Sequence, residues 1–223
     1  MASLLTFPLD LDILSDNLRA MTVKRKLQGF YDTTMDGNGE ILGTSLAPRI
    51  WQGTTQIDVL TFRQASELEA LINSLDETQN SFYFSDPRTA YPWYDPDGSI
   101  HAGMGGTSFR LLDVSGDKQR IQIKNAADFK FYRGDLFHFD FGTDPVHRAF
   151  HQIVSRVETG DHTTGNTDWI EVRPPIRTGY TLNTILTFEK PALEIKIVPN
   201  TFEPGTAQDM VVSGMGFDWR QVV

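Results

Sequence analysis

The sequence predicts a mainly β fold with a single helix, in which a small β-barrel module interrupts a discontinuous outer domain. Three observations predict it. Most segments alternate apolar and polar residues with period two, the mark of a strand with one buried face. The 18 Gly and 11 Pro punctuate these segments, while 15 Phe, 6 Tyr and 4 Trp fill them, which suits short strands and tight turns. Composition also shifts abruptly after Asp86, where Pro87, Pro92, Pro96, Gly98, Gly103, Gly105 and Gly106 leave little room for regular structure.

The elements follow in order. Met21, Val23 and Leu27 share a face opposite Lys24, Lys26 and Gln28, with Arg25 intruding on the apolar side. Asp36-Gly37-Asn38-Gly39 reads as a turn. From Arg49 to Leu60 one side carries Trp51, Thr55, Ile57 and Val59. The other carries Gln52, Thr54, Gln56 and Asp58, too polar for a core and without a positive charge of its own. Thr61-Phe62-Arg63-Gln64 matches a capping box, and Ala65, Leu68, Leu71, Ile72 and Leu75 then form one apolar stripe at helical spacing. Arg63, Glu67 and Glu69 take the wet side, so the helix is a packing element. Ser81 to Ser85 is a short aromatic strand ended by Asp86-Pro87.

Residues 86–106 read as a linker loop. From 107 to 178 runs a series of short strands, 109–114, 120–124, 136–141, 147–158 and 169–173, with Gly-Asp or Pro-Pro turns between them. The expected barrel core is Phe109, Leu111, Ile121, Ile123, Phe137, Phe139, Ile153, Val157, Ile170 and Val172. Longer strands return at the end, where Leu193, Ile195 and Ile197 alternate with charges, as do Met215, Phe217 and Trp219. Residues 1–85 and 179–223 are therefore expected to form one domain around the insertion.

Charge and chemistry narrow the function. Twenty Lys and Arg against 29 Asp and Glu leave a net charge of −9. Such a chain is poorly suited to grip nucleic acid, whose phosphates dominate binding. The absence of cysteine excludes disulfides, thiolate metal sites and a cysteine nucleophile. No apolar run approaches the roughly 20 residues of a membrane helix. Residues 1–12 lack a basic start and carry Asp10 and Asp12 where a signal peptide is apolar.

The specific motifs are few. His138, His147 and His151 could supply three imidazoles to zinc, but there is no HExxH and no compact ligand cluster. Asp36, Asn38 and Glu40 begin like a calcium loop, yet Ile41 stands where glycine belongs and Ala47 where a bidentate Glu belongs. Asp95-Pro96-Asp97-Gly98 likewise reads as a turn. Gly103-Met104-Gly105-Gly106 precedes a strand, so no helix start waits there for a phosphate. Neither a nucleophile elbow nor a phosphate-cradling loop is present. Tyr91-Pro92-Trp93-Tyr94 either presents its rings to a partner or sugar or folds back over a core edge.

The order of the pieces resembles the distal tail proteins of long-tailed bacteriophages and gene transfer agents. Leu27-Gln28-Gly29 and Trp51-Gln52-Gly53 are similar to that family's opening strands. Residues 65–72, followed by Ser81-Phe82-Tyr83-Phe84-Ser85-Asp86-Pro87, are similar to its helix and next strand. Tyr132-Arg133-Gly134-Asp135-Leu136-Phe137 and Val172-Arg173-Pro174-Pro175-Ile176-Arg177 are similar to a small barrel many such proteins carry. Gly214-Met215-Gly216-Phe217-Asp218-Trp219 fits their closing strand.

The resemblance implies a tail-tube-like β-sandwich hub domain with one helix, carrying an SH3- or OB-like barrel. It implies a virion structural protein at the tail tip: a homo-hexameric ring without catalysis or cofactor. The ring joins the tail tube protein to the tail-tip hub protein and lets genomic DNA pass without specific binding. Gln52, Thr54, Gln56 and Asp58 are the candidate channel lining, and Tyr91, Trp93 and Tyr94 the candidate partner-contact loop. The alternative is a carbohydrate-binding tail accessory module, which needs Trp93, Tyr94 or Trp169 on one exposed platform; a glycan hydrolase, the other class left open, needs two carboxylates flanking a deep cleft.

Overall fold

The structure is a computed structural model and describes residues 5–15, 18, 21–76, 78–100 and 108–222. The glycine-rich Gly103–Gly106 lies outside them. Among the described residues thirteen strands and one α-helix succeed one another as β1 (Met21–Met35), β2 (Ile41–Thr61), α1 (Phe62–Ser74), β3 (Phe82–Ser85), β4 (Arg110–Val114), β5 (Arg120–Lys124) and β6 (Lys130–Phe131). Then come β7 (Leu136–Phe141), β8 (His147–Ile153), β9 (Glu158–Thr159), β10 (Ile170–Arg173), β11 (Ala192–Ile197), β12 (Thr206–Gln208) and β13 (Val211–Gln221). The fold is mainly β with curled sheets, and the chain divides into two compact units.

The first unit joins the two ends of the chain, Met1–Tyr83 and Glu194–Val223. Its sheet runs β1-β2-β13-β11-β3, with β12 added on β13. Early strands thus pair with late ones: β2 lies antiparallel to both β1 and β13. One face buries Val23, Trp51, Ile57, Ile195, Phe217 and Trp219. The helix starts as its sequence dictates: Thr61 Oγ1 accepts from Gln64 N, and Gln64 Oε1 accepts from Thr61 N at 3.1 Å. Ala65, Leu68, Ile72 and Leu75 are buried along its stripe.

Two details depart from the simple alternation. Val59 is 57% exposed and Leu60 only 6%, so the buried phase slips by one residue at the end of β2. Its partner slips with it, Val212 and Met215 being buried while Ser213 and Gly214 between them are exposed. Gly214 sits at φ +78°, a conformation that costs glycine little and breaks the pleat there. The other departure is the reach of the hairpin: β2 begins at Ile41, eight residues before Arg49, despite Pro48. Register shifts around Phe30 absorb the proline, which gives no ladder hydrogen bond.

The second unit is continuous, Phe84–Leu193. Its main sheet runs β4-β5-β10-β8-β7, with β6 and β9 paired separately. Residues 183–187 bridge both edges. On one side Asn183 N donates to Leu111 O at 2.8 Å and Leu186 N to Phe109 O at 2.9 Å. On the other, His138 and Thr187 exchange both backbone bonds, at 3.0 and 2.9 Å.

This unit is wider than 107–178. Leu186 and Phe188, which sequence alone assigned to the outer domain, belong to its core, and Tyr94 from the supposed linker packs against it. Phe188 lies 5.5 Å from Phe109, 5.1 Å from Phe131 and 5.2 Å from Phe137, ring to ring. Each such pair adds about 0.5–1.5 kcal/mol beyond the buried area. Of the expected core residues, Val157 is 45% exposed, because β8 ends at Ile153 and a turn re-aims the chain.

Candidate functional site

The outer face of the first unit's sheet holds a polar constellation drawn from four strands. In an antiparallel pair, residues directly opposite share a face with Cβ atoms about 5 Å apart. Lys26 faces Gln52, Gln52 faces Arg220, and Arg220 faces Lys196, so one row crosses four strands. The next row is Lys24, Thr54 and Asp218. Apart from Lys196 at its end, these rows line a groove of about 330 Å³ together with Gly53 and Trp219.

Its electrostatics are one-sided. Lys24, Lys26 and Arg220 are exposed and Lys196 half-buried. None of the four has an ion-pair partner among the described residues. Asp218 is the groove's carboxylate, and Thr54 Oγ1 donates to its Oδ1 at 2.5 Å. Like charges directly opposite, as Arg220 and Lys196 are, repel. The strand face, neutral in isolation, is therefore basic at Gln52, where both neighbouring strands contribute cations, and balanced at Thr54 between Lys24 and Asp218. Gln56 and Asp58 lie beyond this row and are exposed.

The same β1–β2 ladder projects as a ribbon. From Tyr31 to Arg49 every residue is exposed except the half-buried Asp36. Met35 is 68% exposed, Ile41 69% and Leu46 68%. A sheet with one covered face would alternate; this stretch does not. Asp32, Asp36 and Glu40 are its charged residues before Arg49. Asp36 Oδ1 accepts from Asn38 N and Glu40 N, both at 2.9 Å, which closes the turn and uses the side chain locally.

The aromatic loop is split. Trp93 is 78% exposed, whereas Tyr94 stands edge-on to Phe129 at 5.3 Å with Lys130 Nζ 5.6 Å from its ring. Tyr91 is half-buried. Asp135 pins this loop: its carboxylate accepts from Trp93 N at 2.9 Å and Tyr132 N at 2.8 Å. Burial pushes the Asp135 carboxyl above the usual carboxylate range against these two bonds. Tyr94 is thus a packing residue, and Trp93 alone of the three offers an open ring.

The three histidines do not converge. His138 pairs with Phe150 and His151 with Phe137, so they point to opposite faces of β7 and β8. His151 stacks on Phe139 at 5.6 Å, with Nδ1 2.8 Å from Pro174 O. Burial depresses it to about 4, the Pro174 carbonyl opposing and Arg177 assisting. His138 accepts from Ala192 N at 3.1 Å and is depressed to about 3, mainly by burial.

Sequence reading had placed Lys24, Lys26 and the charges of β11 and β13 on polar faces, but not on the same one. Alternation shows which side a residue takes within its strand; only register shows which strands adjoin. Among the described residues no helix is long and apolar enough to cross a membrane. No protein-family model matches the chain, and no curated protein matches it either.

Proposed function

We propose that this chain is a non-catalytic structural subunit of the tail tip of a long-tailed phage or gene transfer agent. Six copies form a ring in the virion between the tail tube protein and the tail-tip hub protein. One observation carries the reading: the β1–β2 ribbon leaves its sheet with both faces bare and apolar side chains outward. An isolated two-stranded ribbon is marginal in water, so it is built to lie against something. The sheet made from both chain ends is the hub, and the unit from 84 to 193, closed by residues 183–187, is an inserted small barrel.

In that ring Gln56 and Asp58 suit the wall of a channel through which DNA slides, since neither holds a phosphate. Gln52, between Lys26 and Arg220, suits that wall less well, whereas Thr54 stands between Lys24 and the carboxylate of Asp218. A reconstruction of the particle tests the reading: six copies around the tail axis are expected. A single copy off the axis overturns it.

A further inference from the structure

We infer that the acidic tip of the β1–β2 ribbon seats in the basic groove of the next copy of the chain, in a head-to-tail contact. This rests on the ring proposed above and names the surfaces that close it.

Charge complementarity selects the occupant. The groove presents Lys24, Lys26 and Arg220, unpaired, with Lys196 opposite Arg220 on the adjoining strand, in a chain whose net charge is −9. The ribbon between Gly29 and Pro48 carries Asp32, Asp36 and Glu40 and no cation. Asp32 and Glu40 have no ion-pair partner among the described residues.

Geometry makes the contact intermolecular. Groove and tip are the two ends of one ladder: Lys26 pairs with Gln52 at its root, and Met35 with Ile41 at its tip. At about 3.3 Å per residue, Lys26 and Asp36 stand roughly 30 Å apart along the ribbon. The chain cannot fold its tip back onto its own groove without breaking the ladder. A donor surface and a different acceptor surface on each copy make a heterologous contact, which closes into a ring when the rotation permits. The contact also places carboxylates beside Arg220 and Lys196, whose mutual repulsion otherwise stands.

Because the chain lacks cysteine, a cross-link reads the contact directly. Glu40→Cys and Lys26→Cys in one chain, oxidised at high protein concentration, should give a ladder of covalent multimers ending at the ring. Either single variant should stop at dimers. Lys26→Glu with Arg220→Glu should weaken association about tenfold or more, and adding Asp36→Lys with Glu40→Lys should recover it. All four positions are exposed or at a turn, and circular dichroism checks that each variant folds.

If the unmodified chain self-associates but the double-cysteine variant gives no ladder, this contact is wrong and the ring survives. If the chain stays monomeric at every concentration and is a single copy on the particle, ring and contact fail together. If the groove instead binds duplex DNA, lost on Lys26→Glu with Arg220→Glu, and no ladder forms, the occupant is a phosphate backbone and the inference is overturned.

Discussion

Gly53 lies against the indole of Trp219: a Cβ built at Gly53 would stand 2.6 Å from Trp219 Cζ2 and collide with the Lys24 carbonyl. The same indole donates from Nε1 to Thr55 Oγ1 at 3.0 Å, in a core where both side chains are fully buried. Two neighbouring strands, β2 and β13, are thus keyed together by one side chain. Gly53→Ala should destabilise the first unit by about 2 kcal/mol through overpacking. Thr55→Val, which keeps the volume but removes the acceptor, should cost about 1–2 kcal/mol. Urea unfolding followed by Trp fluorescence measures both, and an unchanged midpoint for Gly53→Ala would contradict the close approach.

The limits of the second unit are tested by excision. Joining Tyr83 to Glu194 through a short linker should leave the outer sheet folded, because β3 and β11 adjoin and Ser81 Oγ donates to Glu194 at 2.6 Å. Removing only 107–178 should fail, since Tyr94, Leu186 and Phe188 would lose the core they pack into. Proton spectra of the two deletions distinguish them. Equal dispersion in both would mean that 179–193 is not part of the inserted unit.

Trp93 and Tyr94 are neighbours with opposite roles. Trp93→Ala should leave the melting temperature within about 1 °C, as expected of an exposed side chain. Tyr94→Ala removes the edge contact with Phe129 and should cost about 2 kcal/mol. Thermal scans of the two variants decide it, and a large loss for Trp93→Ala would show that its ring is packed.

Stability should fall as the solution is acidified. His138 and His151, depressed to about 3 and about 4, stay neutral when folded and bind protons when unfolded near 6.5. Their stabilisation is whole above about pH 6.5 and is lost as pH drops towards 4, at up to about 1.4 kcal/mol per pH unit for each. Asp135, raised by burial, acts in the opposite sense above the ordinary carboxylate range, as does His162, raised by its bond to Asp128. His162 is exposed, so its effect is small. Unfolding free energy measured from pH 7 to pH 4.5 should show the decline. His138→Gln with His151→Gln should flatten it, and an unaltered slope would assign the protons elsewhere.

Local chemistry was fully legible. The helix start at Thr61 and Gln64 and the stripe from Ala65 to Leu75 rest on interactions within a few residues, and the strands between 110 and 173 show in their own alternation and turn residues. So does the turn at Asp36, whose side chain bonds to amides two and four residues on. Less legible was anything set by a partner strand. Val59 and Leu60 exchange burial where their partners Ser213 and Val212 do the same next to Gly214, and Val157 turns outward because β8 ends early.

The sequence by itself determined a β-rich, cysteine-free, acidic chain with one helix and a core of phenylalanines, since period, caps and turn residues are short-range properties. Tertiary structure alone decided that residues 183–188 complete the second unit and that four strands merge Lys26, Gln52, Arg220 and Lys196 into one row. It alone decided that the hairpin stands bare from Tyr31 to Arg49, Asp36 excepted. The reason is physical: hydrogen bonds between strands join residues far apart in the chain, and alternation within a strand carries no information about which neighbour it will meet.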